Sequence, residues 1–298
     1  MLIILYIHII KCNYAKVVVQ LNKINEIKKD VRCPNCMKII SVTGNAGDTL
    51  KVTCPACDFV GKVTFKKQQY IIEAENIHKI YTTGKIQVHA LRGVNLKIEK
   101  GEMVTLMGVS GCGKTTLLNC ISGLDDLTSG IVKIEGKNLN DMSDDEKTQY
   151  RASRMGFIFQ FYNLLPVLSA VENVELPLLI SREKPKAARE KALLSLESVG
   201  LKGWANHKPS ELSGGQRQRV TIARSLVCNP LIVFGDELTG DLDRETADEI
   251  MDVVCRLNKD QGLTFLLVTH DSKIAERTDR VLVMGDGVIL KEYVPTHW

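Results

Sequence analysis

Residues 103–124 read MVTLMGVSGCGKTTLLNCISGL, an apolar run, a glycine-rich turn and a second apolar run. The first five residues predict a buried strand, and the residues from Thr116 onward predict a helix. Between them lies Gly-x4-Gly-Lys-Thr, the P-loop pattern, whose glycines let backbone N–H groups approach phosphates closely. The N-terminus of the following helix favours negative charge. The stretch therefore predicts an α/β fold that binds a nucleotide.

Within this loop, Lys114 is predicted to reach the β- and γ-phosphates of the nucleotide, and the Thr115 hydroxyl to hold Mg²⁺. Residues 231–237, LIVFGDE, form another apolar run, which ends on two acids. Two acids alone would be ordinary turn residues. Beside a phosphate ligand, we expect Asp236 to bind Mg²⁺, directly or through water, and Glu237 to polarise the attacking water. The loop residues predicted to bind the nucleotide are Gly108, Ser110, Gly111, Cys112, Gly113, Lys114, Thr115 and Thr116.

Four cysteines form two closely spaced pairs, Cys33 with Cys36 and Cys54 with Cys57, separated by seventeen residues. This spacing is typical of a four-cysteine structural zinc site, with iron as the less expected metal. Two disulfides or four free thiols are the alternatives, and both suit a cytosolic chain poorly. Four sulfur ligands leave the metal no open position, so we expect it to stabilise the fold without catalysing a reaction.

The segment around these cysteines resembles a zinc ribbon over residues 31–66, preceded by an extension over residues 1–30. The β-branched residues of KIISVT (38–43) and TLKVT (49–53) predict two strands. The stretch GNAGD between them predicts the turn of a hairpin that joins those strands. FVGKVTF, over residues 59–65, predicts a third strand.

Charge is unevenly distributed along the 298 residues, although the net charge is only +4. Residues 1–70 contain eleven Lys or Arg and four Asp or Glu, a net charge of +7, and the remaining residues carry −3. This asymmetry suggests an N-terminal segment that faces a membrane surface or a nucleic acid, or a small domain that is simply well solvated.

The apolar start, MLIILYIHII, has only ten residues, too few for a membrane helix, and it lacks the cleavage site of a signal peptide. No other apolar run approaches spanning length, so we expect that the chain alone does not cross a membrane. The five cysteines outside the two pairs are scattered, which is typical of a reducing, cytoplasmic compartment.

Further motifs follow the P-loop in order. Leu212-Ser-Gly-Gly-Gln216 resembles the signature sequence of ATP-binding cassette (ABC) ATPases. Gln160 in GFIFQ, Asp243 in GDLD and His270 in LLVTHD match other motifs of that family. Tyr81, in IHKIYTTG, lies where such proteins stack the adenine. The resemblance covers about residues 70–298 and implies an ATPase of this family.

The resemblance also implies that two copies of the chain close around two ATP molecules as a homodimer. The signature residues would face the γ-phosphate bound by the partner, Gln160 would sense that phosphate through Mg²⁺ or water, and His270 would contact it. The catalytic residues would be Glu237, His270 and Lys114, and the Mg²⁺ ligands Thr115, Gln160 and Asp236. The nucleotide contacts outside the P-loop would be Tyr81, Gln160, Ser213, Gly214, Gly215, Gln216, Asp236 and Asp243.

Two stretches within residues 88–179 are similar to one branch, the lipoprotein-release, macrolide-export and cell-division group. This similarity implies export, or extraction from the membrane, through separate transmembrane permease subunits. The chain would then lie on the cytoplasmic face of the cell membrane. The rivals are a nucleic-acid-linked ATPase and a regulatory cassette with weak turnover. A single cassette without a long coiled coil makes a nucleic-acid partner less expected.

The expected fold class is a P-loop ABC cassette, α/β in its core, with an antiparallel β subdomain and an inserted helical subdomain. Its core strands are predicted at 103–108, 155–159, 231–236, 264–269 and 280–284, with antiparallel strands at 70–78 and 88–98. Helices are predicted over about 161–211, where Phe161, Tyr162, Leu164 and Leu165 would line either a groove for a permease helix or the subdomain core. The sequence departs from the family at Leu238, usually Pro, and at Asp241, usually Asn, which could slow dimer closure by charge repulsion.

Overall fold

The computed structural model describes residues 26–45, 47–64 and 70–296, with the backbone alone at 26–29. The chain divides into two compact units between residues 69 and 70. Of the extension predicted over 1–30, residues 1–25 lie outside the described part. Each unit has its own sheets.

The first unit consists of two antiparallel strand pairs. β1 (Glu26–Arg32) pairs with β2 (Ile39–Asn45), and β3 (Thr49–Thr53) pairs with β4 (Val60–Thr64). β1 begins inside the predicted extension, five residues before the predicted start of the ribbon at residue 31. One cysteine pair lies in the turn of each strand pair, so the two turns present their thiols in similar ways.

A turn does form at GNAGD, where Asp48 N–H donates to Asn45 O at 3.0 Å. The predicted pairing of the two strands beside it is wrong, because each strand pairs instead across one of the cysteine turns. In the first turn, Cys33 N–H donates to Lys38 O at 2.9 Å, and in the second, Cys54 N–H donates to Phe59 O at 2.8 Å. β-Branched residues located the strands correctly, but strand propensity carries no information about which strand is the partner.

The second unit is built on a six-stranded sheet in which five neighbouring strands are parallel and one edge strand is antiparallel. The five predicted core strands are confirmed, and each predicted bound differs from the observed one by at most one residue. The antiparallel edge strand is an addition to the predicted core. In spatial order, the strands are β10 (Met155–Ile158), β11 (Ile232–Asp236), β12 (Thr264–Thr269), β7 (Met103–Met107), β13 (Arg280–Gly285) and β14 (Val288–Tyr293).

A four-stranded antiparallel sheet forms the second layer of this unit. The two strands predicted there are confirmed and are longer than expected, and two further strands continue the sheet. In spatial order, they are β6 (Ile86–Glu99), β5 (Tyr70–Thr83), β8 (Ser129–Ile134) and β9 (Lys137–Asn138). Buried aliphatic residues of both sheets, among them Ile72, Ile98 and Leu106, form one continuous hydrophobic core.

In the described part of the second unit, seven α-helices connect the strands. Three of them begin at a serine, Ser143, Ser169 or Ser213, that forms a capping box, which satisfies the first free N–H groups of the helix. The helices are α1 (Lys114–Ile121), α2 (Asp144–Arg154), α3 (Ala170–Ile180), α4 (Pro185–Ser198), α5 (Gly214–Leu226), α6 (Arg244–Gln261) and α7 (Ser272–Ala275).

Helices α3 and α4 are inserted between β10 and β11, and both pack against α5 through a second hydrophobic core. Along α4 and the residue that follows it, Ala192, Leu196 and Val199 are fully buried, whereas Leu193 is 39% exposed. The predicted fold class, an α/β core with an antiparallel sheet and inserted helices, is therefore confirmed. Across residues 26–45, 47–64 and 70–296, no helix has the length and apolarity needed to span a membrane.

Candidate nucleotide-binding and catalytic site

The carboxyl ends of the parallel strands bring several predicted site residues to one edge of the main sheet. The glycine-rich loop follows β7, Glu237 follows β11, and His270 follows β12. Gln160 lies two residues beyond the end of β10. Parallel strands end on the same side of a sheet, and ligands of open α/β folds bind in the crevice outside those ends.

A cleft with a volume of about 640 Å³ lies at this edge. Its volume falls within the range of roughly 300–1,000 Å³ that small-molecule sites occupy. The predicted site residues that line the cleft are Tyr81, residues 110–116, Gln160, Asp236 and Glu237. Those outside its lining are Gly108, residues 213–216, Asp243 and His270.

Two glycines of the loop stand where a side chain would collide with backbone atoms. A Cβ atom at Gly108 would lie 2.3 Å from Met284 O, and one at Gly113 would lie 2.6 Å from Ala90 O. Gly113 also has a φ of 103°, which residues with a side chain rarely adopt. The loop backbone therefore packs directly on its support, as a phosphate-binding cradle of amides requires.

Lys114, the first residue of α1, is only 7% exposed. Its Nζ donates to Gly108 O and to Val109 O, each at 2.9 Å, and lies 4.0 Å from Cys112 Sγ. None of these partners carries a full negative charge. A buried ammonium that is satisfied only by neutral acceptors favours an anionic ligand, because a buried charge is costly without an opposite one.

Asp236 and Thr115 form a cluster of oxygen atoms in the cleft. Thr115 Oγ1 donates to Asp236 Oδ2 at 3.1 Å. Burial raises the pKa of the Asp236 carboxyl, the hydrogen bond from Thr115 opposes that rise, and the charge of Glu237 adds to it. A carboxylate in such surroundings is stabilised by a cation, and Mg²⁺ prefers oxygen ligands of this kind.

Glu237, His270 and Gln160 converge beside the cleft. Glu237 Oε1 lies 3.1 Å from His270 Nδ1. A Cβ atom at Gly240 would lie 3.4 Å from Glu237 Oε2 and 3.5 Å from Gln160 Nε2, so these two side chains approach the same point. The backbone of Glu237 has a φ of 47°, a left-handed conformation that is uncommon for such a residue and is found preferentially at functional sites.

The segment after Gln160 is held in place by Arg224 of α5. Arg224 Nη1 donates to Asn163 O at 2.6 Å, and its Nη2 donates to Tyr162 O at 2.8 Å. Tyr162 and Asn163 have φ values of 57° and 50°, both in the left-handed region. Burial lowers the pKa of Arg224, but a guanidinium stays protonated at neutral pH. A charged donor therefore fixes the strained segment to the helix that the signature sequence begins.

Tyr81, near the end of β5, is 40% exposed. Its hydroxyl donates to Asp125 Oδ2 at 2.6 Å, and Lys79 Nζ lies 4.8 Å from the centroid of its ring. Burial and the bond to Asp125 raise the pKa of Tyr81 to about 12, so the phenol keeps its proton at neutral pH. A partly open aromatic ring in the cleft suits the stacking of a nucleotide base.

Six further residues line the cleft that sequence reasoning did not assign to the site. The turn between β13 and β14 supports the P-loop, because Gly287 N–H donates to Cys112 O at 3.0 Å. The Asp286-Gly287 pair is a recognisable turn signal. Nothing in the sequence connects that turn to a loop more than 170 residues earlier. The six residues are Val88, His89, Ala90, Arg92, Asp286 and Gly287.

The signature residues lie at the N-terminus of α5, outside the cleft of their own chain. Ser213 Oγ accepts from Gln216 N–H at 3.2 Å, and Ser213 N–H donates to Gln216 Oε1 at 2.9 Å. A Cβ atom at Gly215 would lie 2.5 Å from Thr246 Cγ2. Thr246 is fixed in turn by Asp243, whose Oδ2 accepts from Thr246 Oγ1 at 2.6 Å. The signature residues and Asp243 thus form one packed group at the starts of α5 and α6.

The four cysteines predicted to bind a metal come together in the first unit. Their Sγ atoms lie within 4.8 Å of one another, and none is in a disulfide. Cys33 Sγ is 3.6 Å from Cys57 Sγ, and Cys36 Sγ is 3.6 Å from Cys54 Sγ. Tetrahedral zinc with Zn–S bonds of about 2.3 Å places its sulfur ligands about 3.8 Å apart. The cluster therefore has the size and the donor set of a four-cysteine metal site.

Comparison with known proteins places this geometry in a family. A family model described as "ABC transporter" matches residues 91–240. The dimeric, post-hydrolysis structure of the ATP-binding cassette MJ0796 bound to ADP and Pi is 42% identical, with a TM-score of 0.70, and the match covers 76% of this chain and all of that one. A second dimeric structure of MJ0796, a bacterial ABC transporter cassette, is 43% identical, with the same TM-score and coverage.

The similarity extends to more distant cassettes. The cbiO1 protein from Clostridium perfringens, part of the ABC transporter complex cbiONQ, is 29% identical, with a TM-score of 0.70 over 76% of this chain and 90% of that one. The region that matches the family model, residues 91–240, includes the P-loop and the signature residues. The chain therefore belongs to the ABC transporter family and is an ATPase of the ATP-binding cassette type.

Proposed function

We propose that the chain is the ATP-hydrolysing subunit of a membrane transport complex and that it works as a homodimer. The observation that best supports a homodimer is that the two phosphate-binding features of the chain lie apart. The P-loop lines the cleft, whereas the signature residues at the start of α5 lie outside it. One chain thus supplies half of each ATP site, and a second copy completes it. The dimer closes around MgATP, hydrolyses it and reopens.

The complex belongs to the lipoprotein-release, macrolide-export and cell-division branch. It uses this cycle to move separate permease subunits that export a substrate or extract it from the membrane. The similarity of residues 88–179 to that branch supports this assignment. Coupling requires that the ATP site and the permease contact the same segment, and the segment after Gln160 fits that role because it adjoins the cleft.

The cassette residues that bind ATP are those that line the cleft. The glycines and amides of residues 110–116 surround the phosphates, and Lys114 binds the β- and γ-phosphates. Tyr81 stacks on the adenine. Support comes from the buried Lys114 ammonium, whose acceptors are all neutral. An ATP triphosphate supplies the negative charge that this ammonium lacks.

Thr115, Asp236 and Gln160 hold Mg²⁺ through hydroxyl, carboxylate and amide oxygens. The raised pKa of Asp236 supports this role, because a cation relieves the cost of burying its charge. When bound, Mg²⁺ neutralises charge on the β- and γ-phosphate oxygens. The side chains of Thr115 and Asp236 are already in contact, so two of these three ligands are adjacent before Mg²⁺ binds.

Glu237 orients the attacking water by accepting a hydrogen bond from it. His270 Nδ1 lies 3.1 Å from Glu237 Oε1, so the ring holds that carboxylate in position, and the other ring nitrogen contacts the γ-phosphate. From the partner chain, Ser213 and the N-terminus of α5 approach the same phosphate, since a helix N-terminus attracts negative charge. Asp243 keeps the signature loop in shape through Thr246.

Two substitutions test this assignment. Glu237→Gln keeps the shape of the side chain but binds water without a negative charge, so it is expected to accumulate an ATP-bound dimer. Lys114→Ala is expected to lose nucleotide binding and stay monomeric. Light scattering after size exclusion, with and without MgATP, distinguishes these states. Hydrolysis by Glu237→Gln at the parent rate would show that another group acts on the water.

An apolar cleft of about 470 Å³ supports the docking of a permease helix. It is lined by Phe157 and Phe159, whose rings are stacked with centroids 6.0 Å apart, and by Pro177 of α3 and Arg224 of α5. Phe161 is 74% exposed, whereas Leu164 packs against the helical core. An amphipathic helix buries such a surface through its apolar face. Docking there keeps the chain on the cytoplasmic face of the membrane.

Co-purification of the full chain tests the partner class. Recovery of a protein with several membrane helices supports the transport assignment. Recovery of RNA or DNA without such a protein supports the nucleic-acid-linked rival, which the net charge of +7 over residues 1–70 favours. Washing at high salt distinguishes specific retention from attraction to that charge, because phosphate contacts weaken steeply with salt.

The four cysteines hold one Zn²⁺, and residues 31–66 form a zinc ribbon ahead of a cassette that spans residues 70–298, with its helical subdomain at about 161–211. The sulfur cluster supports this proposal. Zinc bound there joins the two strand pairs, which are too small to bury much apolar surface. Elemental analysis of the purified chain is expected to give one zinc per chain, and Cys54→Ser to lose it. Iron in that analysis, or no metal, would contradict the assignment.

A further inference from the structure

Tyr81 and the P-loop stand on different sheets. Tyr81 lies on β5 of the antiparallel sheet, whereas the loop follows β7 of the parallel sheet. A single nucleotide that touches both needs a fixed distance between them. Their connection is therefore part of the recognition of that nucleotide, and the structure contains a direct link at Asp125.

Asp125 is attached to the helix that begins with Lys114. Asn119 O, in the last turn of α1, accepts from Leu124 N–H at 2.9 Å and from Asp125 N–H at 3.1 Å. These bonds end the helix in a tight turn and hold the backbone of Asp125 against it. Asp125 and the phosphate-binding residues thus belong to one short, continuously hydrogen-bonded segment.

The carboxylate of Asp125 accepts hydrogen bonds from two side chains near the end of β5. Oδ2 accepts from the Tyr81 hydroxyl at 2.6 Å, and Oδ1 accepts from Lys79 Nζ at 2.5 Å. The hydrogen bonds from Lys79 and Tyr81 outweigh the effect of burial and hold the pKa of Asp125 below its usual value, so it is charged at neutral pH. Hydrogen bonds to a charged acceptor are shorter and stronger than neutral ones.

Lys79 also restricts how a base can reach the tyrosine. Its Nζ lies 4.8 Å from the centroid of the Tyr81 ring, and the side chain of Lys79 is only 12% exposed. The ammonium is fixed by Asp125 and by Asp126 O at 2.6 Å. One face of the ring is therefore occupied, and a base stacks on the other.

We propose that Asp125 is a positioning residue that fixes the Tyr81 ring at a set distance from the P-loop, so that the site binds the base and the triphosphate together. This inference rests on the proposed binding of ATP in the cleft. Asp125 thereby supports the part of the affinity for ATP that comes from stacking of the base on Tyr81. The phosphates, which Lys114 and the loop bind directly, are unaffected by its loss.

The test compares Asp125→Asn with Asp126→Asn in the full chain. Asp126 is a matched control, because its carboxylate binds Lys147 at 2.8 Å and its link to Lys79 uses the backbone oxygen. Affinities are measured by calorimetry for MgATP and for magnesium tripolyphosphate, which has no base. Asp125→Asn is expected to weaken MgATP binding about three- to tenfold, the fold-change that corresponds to one hydrogen bond of ordinary net strength. Tripolyphosphate binding stays within about twofold, and Asp126→Asn changes neither.

Tyr81→Phe removes the same hydrogen bond from the other side and tests the inference if Asp125→Asn does not fold. The two substitutions together are expected to weaken MgATP binding by less than the sum of their separate effects, since both break the bond between Tyr81 and Asp125. Equal losses for MgATP and tripolyphosphate, or unchanged MgATP affinity, would overturn the role of Asp125. Failure of the unsubstituted chain to bind either ligand would overturn the proposed function instead.

Discussion

Replacing Arg224 with methionine is expected to destabilise the second unit by about 2–3 kcal/mol. Methionine keeps the apolar length of the side chain but removes its hydrogen bonds to Asn163 O at 2.6 Å and Tyr162 O at 2.8 Å. A hydrogen bond from a charged donor contributes about 1.5–3 kcal/mol. The sum is reduced because water can reach the exposed Asn163. The sum is reduced further because Tyr162 and Asn163 can leave their left-handed conformations once they are released. Each such conformation costs roughly 1 kcal/mol or more, and part of that cost is recovered.

Arg219, on the same helix, provides the matched control. Its Nη2 lies 2.8 Å from the carboxylate of the exposed Glu249, and its Nη1 donates to Val199 O at 3.3 Å. An ion pair with an exposed partner contributes about 0.2–1 kcal/mol. The bond to Val199 O, at 3.3 Å, is longer than the usual range of about 2.7–3.2 Å and contributes little. Arg219→Met is therefore expected to cost less than about 1 kcal/mol, although it removes the same charge from the same helix.

Urea unfolding followed by tryptophan fluorescence measures both variants. The chain has two tryptophans, so a Trp298→Phe background leaves Trp204 as the single reporter, in the segment between α4 and α5. A shift of the midpoint at constant slope reports a change in stability. Arg224→Met should also raise the Mg²⁺ concentration needed for half-maximal hydrolysis, because Gln160 precedes the released segment. A difference between the variants below about 0.5 kcal/mol would refute the reasoning.

Gly108→Ala is expected to abolish binding of a fluorescent ATP analogue, because the added Cβ would lie 2.3 Å from Met284 O. Gly203→Ala is the control and should bind the analogue normally, because a Cβ there would have no heavy atom within 4 Å. Asp236→Asn should abolish hydrolysis yet raise the Tm of the Mg²⁺-free protein by about 2–4 °C. The pKa of Asp236 is raised in the folded state, so its negative charge lowers the stability of the protein above that pKa. The increase in Tm caused by Asn should therefore disappear as the pH falls through the folded-state pKa. An unchanged Tm at neutral pH would count against this explanation. In the Glu237→Gln background, Asp241→Asn should lower the dissociation constant of the ATP-bound dimer about two- to fivefold at low salt. The effect should be much smaller at about 0.5 M salt, and sedimentation equilibrium measures both constants.

The core of the cassette could be predicted from sequence because its signals are local. Buried parallel strands are continuous apolar runs, and glycines and acids mark their ends, so all five were placed within one residue. The P-loop and Glu237 directly follow such strands, and Asp236 is the last residue of one. Residues that follow neighbouring parallel strands meet at one edge, which is why those motifs line a single cleft.

Features that depend on distant pairing could not be predicted. The partner of β2 is β1 and not β3, and that choice is made by the cysteine turns, whose geometry strand propensity does not describe. The support that Gly287 gives to Cys112 joins residues more than 170 positions apart. Asp125 is an acid in a loop without a motif, and the contacts of its carboxylate with Tyr81 and Lys79 distinguish it from its neighbour Asp126.

The order of the strands has a consequence for synthesis. β7, which carries the P-loop, lies between β12 and β13, and both of these are made more than 150 residues later. A growing chain therefore exposes the glycine-rich sequence long before either neighbour has left the ribosome. Until residue 287 emerges, the loop lacks the hydrogen bond that Gly287 N–H donates to Cys112 O. Chains that end before residue 287 are therefore expected to bind ATP more weakly than the complete cassette.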